Sequence, residues 1–260
     1  MSAPRHLGHL TWQQAAAARD AGALVLLPIG STEAHGPHLP LATDVILSEA
    51  LAWRSALVLQ NSGYQTLIAP ALSYAVTEYA APFAGTVSIT PETAIALVAD
   101  VCLSLQRQGF ERVVLINSHL EPAHAETLRA ACALVQQKSQ KRVAFPDQLE
   151  KRWARTLGDE YRRGECHAGS YETSLVMAAR PELVREDERR SLAPVPINLA
   201  KAMLAGVKDF VAAGAHAAYF GDPASATPAE GEALYARLVE MVVTVVGETF
   251  VPSPLSGPAQ

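Results

Sequence analysis

The stretch that decides the fold runs Ala23-Leu-Val-Leu-Leu-Pro-Ile29-Gly30-Ser31-Thr32-Glu33-Ala34-His35-Gly36-Pro37-His38. Its first seven residues form an apolar run closed by a glycine, the pattern of a strand buried on both faces in a parallel sheet. Two shorter runs read the same way, Gln65–Ala69 and Arg112–Asn117. Helical patterns lie between and around them, over about Trp12–Ala21, Asp44–Gln60, Pro91–Gln108 and Ala123–Lys138, with another after Thr227-Pro228. Thr90-Pro91 and Thr227-Pro228 each place a capping hydroxyl before a proline at the first helical position, and Gly109 stops the helix before the third strand. Strand–helix–strand alternation predicts an α/β domain with a mostly parallel sheet and helices on both faces. A single domain over 1–260 is expected, with residues 252–260 as a frayed tail.

Composition narrows the function classes. The chain has 260 residues, 49% hydrophobic and 18% charged, enough to bury a core without disulfide staples. A net charge of −5 with interspersed signs gives no basic footprint for nucleic acid. Three widely spaced cysteines, Cys102, Cys132 and Cys166, form neither a disulfide framework nor a zinc knuckle. The start MSAPRHLGHLTWQQ has no apolar signal run, and no later run is long enough to cross a bilayer. A cytoplasmic location is expected, with no membrane or nucleic-acid partner.

In an open α/β sheet, ligands sit at the carboxyl ends of the strands, so the residues that follow each strand matter most. After the first strand come Glu33, His35, His38 and Asp44; after Arg112–Asn117 come His119 and Glu121; further on lie His167 and Glu172. Imidazole and carboxylate together form a ligand set for Zn²⁺, Mn²⁺ or Fe²⁺. Glu33 and His35 are two apart and face the same way in an extended loop, and His119 and Glu121 repeat the spacing. Asp44, with two oxygens, is placed to bridge two ions that would clamp and acidify a shared water. Other readings stand beside this one. Asp44 also suits the N-terminus of a helix, Glu121-Pro122 also opens the next helix, and His35-x-x-His38 is an alternative ligand pair. His124 and His216 lack an acidic partner at a useful spacing and read as structural.

At this point the segments resemble a known family. Leu27-Pro-Ile-Gly-Ser-Thr-Glu33-Ala-His35-Gly-Pro-His-Leu-Pro-Leu-Ala-Thr-Asp44 is similar to the signature loop of the creatininase family (creatinine amidohydrolases and relatives). The likeness continues in order through Phe83-Ala-Gly-Thr-Val-Ser88-Ile, Asn117-Ser-His119-Leu-Glu121, His167-Ala-Gly-Ser-Tyr-Glu172-Thr-Ser174 and Gly221-Asp-Pro-Ala-Ser-Ala-Thr. The resemblance implies a three-layer α/β/α domain, a homo-oligomer (a hexamer in the family), and two divalent ions per subunit, zinc or manganese, with iron also compatible. By position, Glu33, Asp44 and His119 would hold one ion, and His35, Asp44 and Glu121 the other. His167 matches the family's catalytic histidine, which passes a proton to and from the attacked amide and would titrate near neutrality.

The departures bear on substrate. Many members carry a Gly-His-Gly-Gly-Asn second loop and a glutamate directly after the later His-Ala-Gly; here those places hold Ser118-His119-Leu120-Glu121-Pro122 and Ser170, an exchange that resembles creatininase proper in drawing the carboxylate from the second loop. Leu120 and Arg163 stand where creatininase proper has aromatic pocket residues. Trp153, in a lid-like stretch Asp147–Gly164, is open to two readings, a cover over the site or plain packing. Arg155, Arg162 and Arg163 either face an anionic substrate group or a solvated helix face. Glu172 either orients a ligand or opens the helix Thr173–Ala179. The expected activity is hydrolysis of a C–N bond in a small, cyclic amide or formamide by water activated between two metals. Peptide trimming, hydrolysis of a sugar derivative and a non-catalytic metal-binding scaffold are the alternatives.

Overall fold

A computed structural model describes residues 3–250. The tail expected over 252–260 lies outside the described residues. Five strands form one parallel sheet: β1 (Arg5–His6), β2 (Leu24–Ile29), β3 (Thr66–Ile68), β4 (Arg112–Asn117) and β5 (Val143–Ala144), in the order β1-β3-β2-β4-β5. The helices are α1 (Trp12–Asp20), α2 (Thr43–Asn61), α3 (Pro91–Arg107), α4 (Pro122–Ser139), α5 (Lys151–Ala154), α6 (Asp159–Arg163), α7 (Ser170–Ala179), α8 (Glu186–Ser191), α9 (Leu199–Leu204) and α10 (Pro228–Phe250). No helix among the described residues is long and apolar enough to cross a membrane.

The alternation of β2 sorts the two faces. Leu24 and Leu26, with Ile68, Val114 and Ile116, pack against α2, α7 and α10. Val25, Leu27 and Ile29, with Leu67, Val113 and Leu115, pack against α1, α3 and α4. The result is the three-layer α/β/α arrangement, with β2 buried along its whole length. Pro28 is tolerated inside this central strand because its missing N–H falls on the side where β3 has already ended, while its carbonyl still accepts the Leu72 N–H at 3.0 Å. Thr90 caps α3 ahead of Pro91, as its sequence implies. The edge strands β1 and β5 were not among the expected elements; at two residues each, they are too short for a hydrophobic period to register.

The sheet order brings the functional loops together. β2 lies between β3 and β4, so the chain leaves β2 at a point where the neighbouring connections run to opposite sides. Ile29 is in register with Asn117, which sets the loop after β2 beside the loop after β4. Gly30 then lets the N-terminus of α2 close onto the end of β2: a Cβ there would lie 2.5 Å from the Val45 nitrogen and 2.9 Å from the Asp44 Cβ.

Candidate metal centre

Glu33 and His35 come from the loop after β2, Asp44 from the first turn of α2, His119 from the loop after β4, and Glu172 from the first turn of α7. None is more than 3% exposed. The two oxygens of Asp44 face different imidazoles: Oδ1 lies 3.2 Å from His35 Nε2, and Oδ2 lies 3.0 Å from His119 Nδ1. Glu33 Oε1 lies 3.2 Å from His119 Nδ1 and 3.7 Å from His35 Nε2, and Glu172 Oε2 lies 3.5 Å from His35 Nε2. Glu33, Asp44 and His119 make one compact donor group, and His35, Asp44 and Glu172 make another, with Asp44 shared. A third combines Glu33, His35 and His167.

Backbone carbonyls set the direction of each ring. His35 Nδ1–H donates to the Glu33 carbonyl at 3.1 Å, and His119 Nε2–H donates to the Val76 carbonyl at 2.8 Å. The remaining nitrogen of each ring is therefore the lone-pair nitrogen, and both are aimed at carboxylates. His35 Nε2 is buried with no hydrogen-bond partner. Acceptors aimed at acceptors in a buried site fit a divalent cation, and the all-N/O donor set suits zinc, manganese or iron. Without a cation, protons must take its place. Burial alone would lower the pKa of His35, but Asp44, Glu172 and Glu33 raise it to about 10; His119 is raised by Glu33 and Asp44 against the same burial. Burial lifts Glu172 to about 8, while Glu33 and Asp44 are held low by the imidazoles beside them.

Other residues fix the carboxylates. Ser31 Oγ donates to Asp44 Oδ2 at 2.7 Å, Thr77 donates to Glu33, and the Ala168 N–H donates to Glu172 Oε2 at 2.6 Å. Ala168 occupies the left-handed region (φ 50), a conformation rarely adopted by residues other than glycine, which points its N–H at Glu172. Ser31 was within reach of sequence reading, sitting between Gly30 and Glu33; nothing local marks Thr77.

Glu121 departs from the place the resemblance implies. Its carboxylate lies 3.3 Å from the backbone nitrogens of both Glu78 and Tyr79, and the carboxylate that reaches His35 is that of Glu172. The spacing argument fails there because Glu121 is the residue at which the loop turns into α4, so it does not continue the extended chain of His119. Glu121 still lines the same cavity, where burial raises its pKa to about 7.

His167 sits over the cluster, with Nε2–H donating to the Ala34 carbonyl at 3.0 Å and Nδ1 lying 3.9 Å from Glu33 Oε1. Burial and the neighbouring His35 lower its pKa to about 4, below the near-neutral titration expected for a proton shuttle. The ring is therefore neutral at physiological pH. His38 is outside the donor groups; its Nε2 is 2.9 Å from Thr173 Oγ1. His124 is buried on α4 against the His119 ring, with centroids 5.1 Å apart.

A cavity of about 220 Å³ opens above the centre, reaching Glu33, His119, Glu121, His167 and Glu172 at its base. Leu120 lines it, as do Leu149, Ala154, Tyr161 and Gly164 of the 147–164 segment. Trp153 does not: it packs at the edge of the core with the Arg152 guanidinium 4.7 Å from its ring centroid. Arg155, Arg162 and Arg163 are exposed, Arg162 paired with Asp159 and Arg163 with Glu165 at 2.8 Å. They take the solvated reading. The segment is fastened by Glu160, whose buried carboxylate accepts the N–H groups of Ser170 (2.9 Å), Tyr171 (2.7 Å) and Asp222 (2.8 Å).

Residues 8–246 match the model of the family described as "Creatininase: Creatinine amidohydrolase". The "Mycofactocin precursor peptide peptidase" of Mycolicibacterium smegmatis is 32% identical over 220 residues, 83% of this chain and 81% of that protein. The "Creatinine amidohydrolase" of Pseudomonas putida is 30% identical over 203 residues, 72% of this chain and 76% of that protein. Among solved structures, "Creatininase Mn" superposes with a TM-score of 0.74 at 23% identity, covering 96% of this chain and 100% of that one, a likeness of fold.

Proposed function

Because this chain belongs to the creatininase family, we propose that it is a hydrolase of amide C–N bonds that works with two divalent metal ions. The observation that carries this reading is the pair of lone-pair nitrogens, His35 Nε2 and His119 Nδ1, aimed at the two oxygens of Asp44. Glu33, Asp44 and His119 would hold one ion, and His35, Asp44 and Glu172 the other. Glu121, on the cavity wall, is the competing ligand for the second position. Two bound divalent cations acidify a water and polarise a carbonyl oxygen.

The chain's own residues supply the rest. His167, held by the Ala34 carbonyl, presents Nδ1 to the cluster, accepts a proton from the attacking water and returns it to the leaving nitrogen. Thr77 and Ser31 hold the Glu33 and Asp44 carboxylates in place. The apolar wall limits water around the amide. Small cyclic amides and formamides are one substrate class. Peptide amides are the second, favoured by the 32% identity to a protein named as a peptide peptidase.

The test is metal content per chain after reconstitution with Mn²⁺ or Zn²⁺, followed by hydrolysis of creatinine, formamides and short peptides. About two ions per chain is the expected result, and absence of bound metal under both conditions would overturn the reading. Glu172→Gln should lose one ion where Glu121→Gln keeps both; the reverse would return the second position to Glu121.

A further inference from the structure

We propose that the cavity above the metal centre selects amides that carry an apolar group beside the scissile bond and no anionic group. The inference rests on the hydrolase reading and adds a substrate class to it.

The wall is built from separate parts of the chain that converge on one surface: Tyr79, Leu120, Leu149, Leu199, Met203 and Phe210. Phe210 lies against His167 with ring centroids 4.4 Å apart, so the apolar surface extends to the group that handles the proton. No lysine or arginine is among the described residues that line the cavity. The three arginines nearest in sequence, Arg155, Arg162 and Arg163, are turned to solvent. The charged side chains that do face the cavity, outside the imidazoles, are the carboxylates of Glu33, Glu121 and Glu172. Glu33 and Glu172 belong to the proposed ion ligands, and Glu121 is held by the backbone nitrogens of Glu78 and Tyr79, so no side chain among the described wall residues is placed to receive an anion.

A substrate carboxylate or phosphate entering this space would leave water with no lysine or arginine among the described wall residues to receive it. An apolar substituent gains free energy in proportion to the area it buries. Space permits one: a dry cavity of about 150 Å³ admits benzene, and this one measures about 220 Å³.

Hydroxamates test this on the Mn²⁺-loaded protein without turnover, because the hydroxamate oxygens chelate a divalent ion whatever tail they carry. The probes are acetohydroxamate, 3-phenylpropanohydroxamate and succinate monohydroxamate, with affinities from calorimetry. The phenyl tail should bind about 30-fold tighter than the methyl, from roughly 80 Å² of apolar surface buried. The carboxylate tail should bind no better than the methyl. Leu199→Lys, at a half-buried wall position, should reverse the order of phenyl and carboxylate tails. Equal binding of all three probes, or tightest binding of the carboxylate tail in the unaltered protein, would overturn the selectivity and leave the metal reading standing. Failure of all three to bind would overturn the metal reading and the proposal with it.

Discussion

Truncating Glu160 isolates the fastening that holds the loop bearing His167 and the first turn of α7, which carries Glu172. The residue is 7% exposed, and its carboxylate accepts three backbone N–H groups from two separate segments, at 2.7–2.9 Å. Burial raises its pKa, and those three N–H groups lower it against that burial. Glu160→Ala leaves all three donors without their acceptor. At about 1–3 kcal/mol for each buried donor left unmade, and with water able to reach part of the space, the loss should be about 3–5 kcal/mol. That is a large fraction of the ~5–15 kcal/mol available to a folded protein. Glu160→Gln keeps one acceptor oxygen but turns an NH₂ toward a donor, so its loss should be about 1–2 kcal/mol. Urea unfolding of the metal-free protein at pH 7 gives both values, and hydrogen exchange at Ser170, Tyr171 and Asp222 locates the effect. The reasoning is refuted if Glu160→Ala unfolds within 1 kcal/mol of wild type, or if Glu160→Gln is the more damaging change.

Four further outcomes follow from the same geometry. Gly221→Ala would drive a Cβ into the Glu160 carboxylate; it should cost about 2–3 kcal/mol alone and clearly less in the Glu160→Ala background, as a double-mutant cycle would show. His38 is neutral in the fold because burial, then His35 and Arg189, lower its pKa from 6.5 to about 4. The unfolded chain takes up the proton first, so this contribution to stability is present above pH 6.5 and lost as pH falls toward 4. The wild-type advantage over His38→Gln should shrink by about 3 kcal/mol across that window, measured by urea unfolding at each pH. Adding Mn²⁺ at 100 times its dissociation constant should raise unfolding free energy by about 2.7 kcal/mol per site, and chelation should reverse it; no change would contradict a metal centre. Light scattering should find an oligomer, as the family resemblance implies, and a monomer at micromolar concentration would refute that expectation.

Much of the architecture is readable one residue at a time. The apolar run ending at Ile29, Thr90-Pro91 ahead of α3 and Gly109 behind it fix elements through burial and backbone chemistry that act within a few residues. Glu33 and His35 likewise share a direction because they lie on one extended segment, and the structure brings both to Asp44 and to the His119 loop. The same arithmetic fails for His119 and Glu121, where the chain turns into α4 and the parity of an extended strand ends.

What the sequence by itself determined is the alternation of strands and helices, the loops that carry imidazole beside carboxylate, and the lack of a basic footprint. The tertiary structure alone decided which carboxylate meets His35, because Glu172 and His35 are brought together by the packing of α7 against α2 and by the turn at Ala168. It also turned Arg163 to solvent, Trp153 to the core edge and Glu160 inward to three backbone donors. Spacing along a chain fixes direction only within one regular element. Contacts between elements depend on sheet order and helix packing, which are set by the whole core at once.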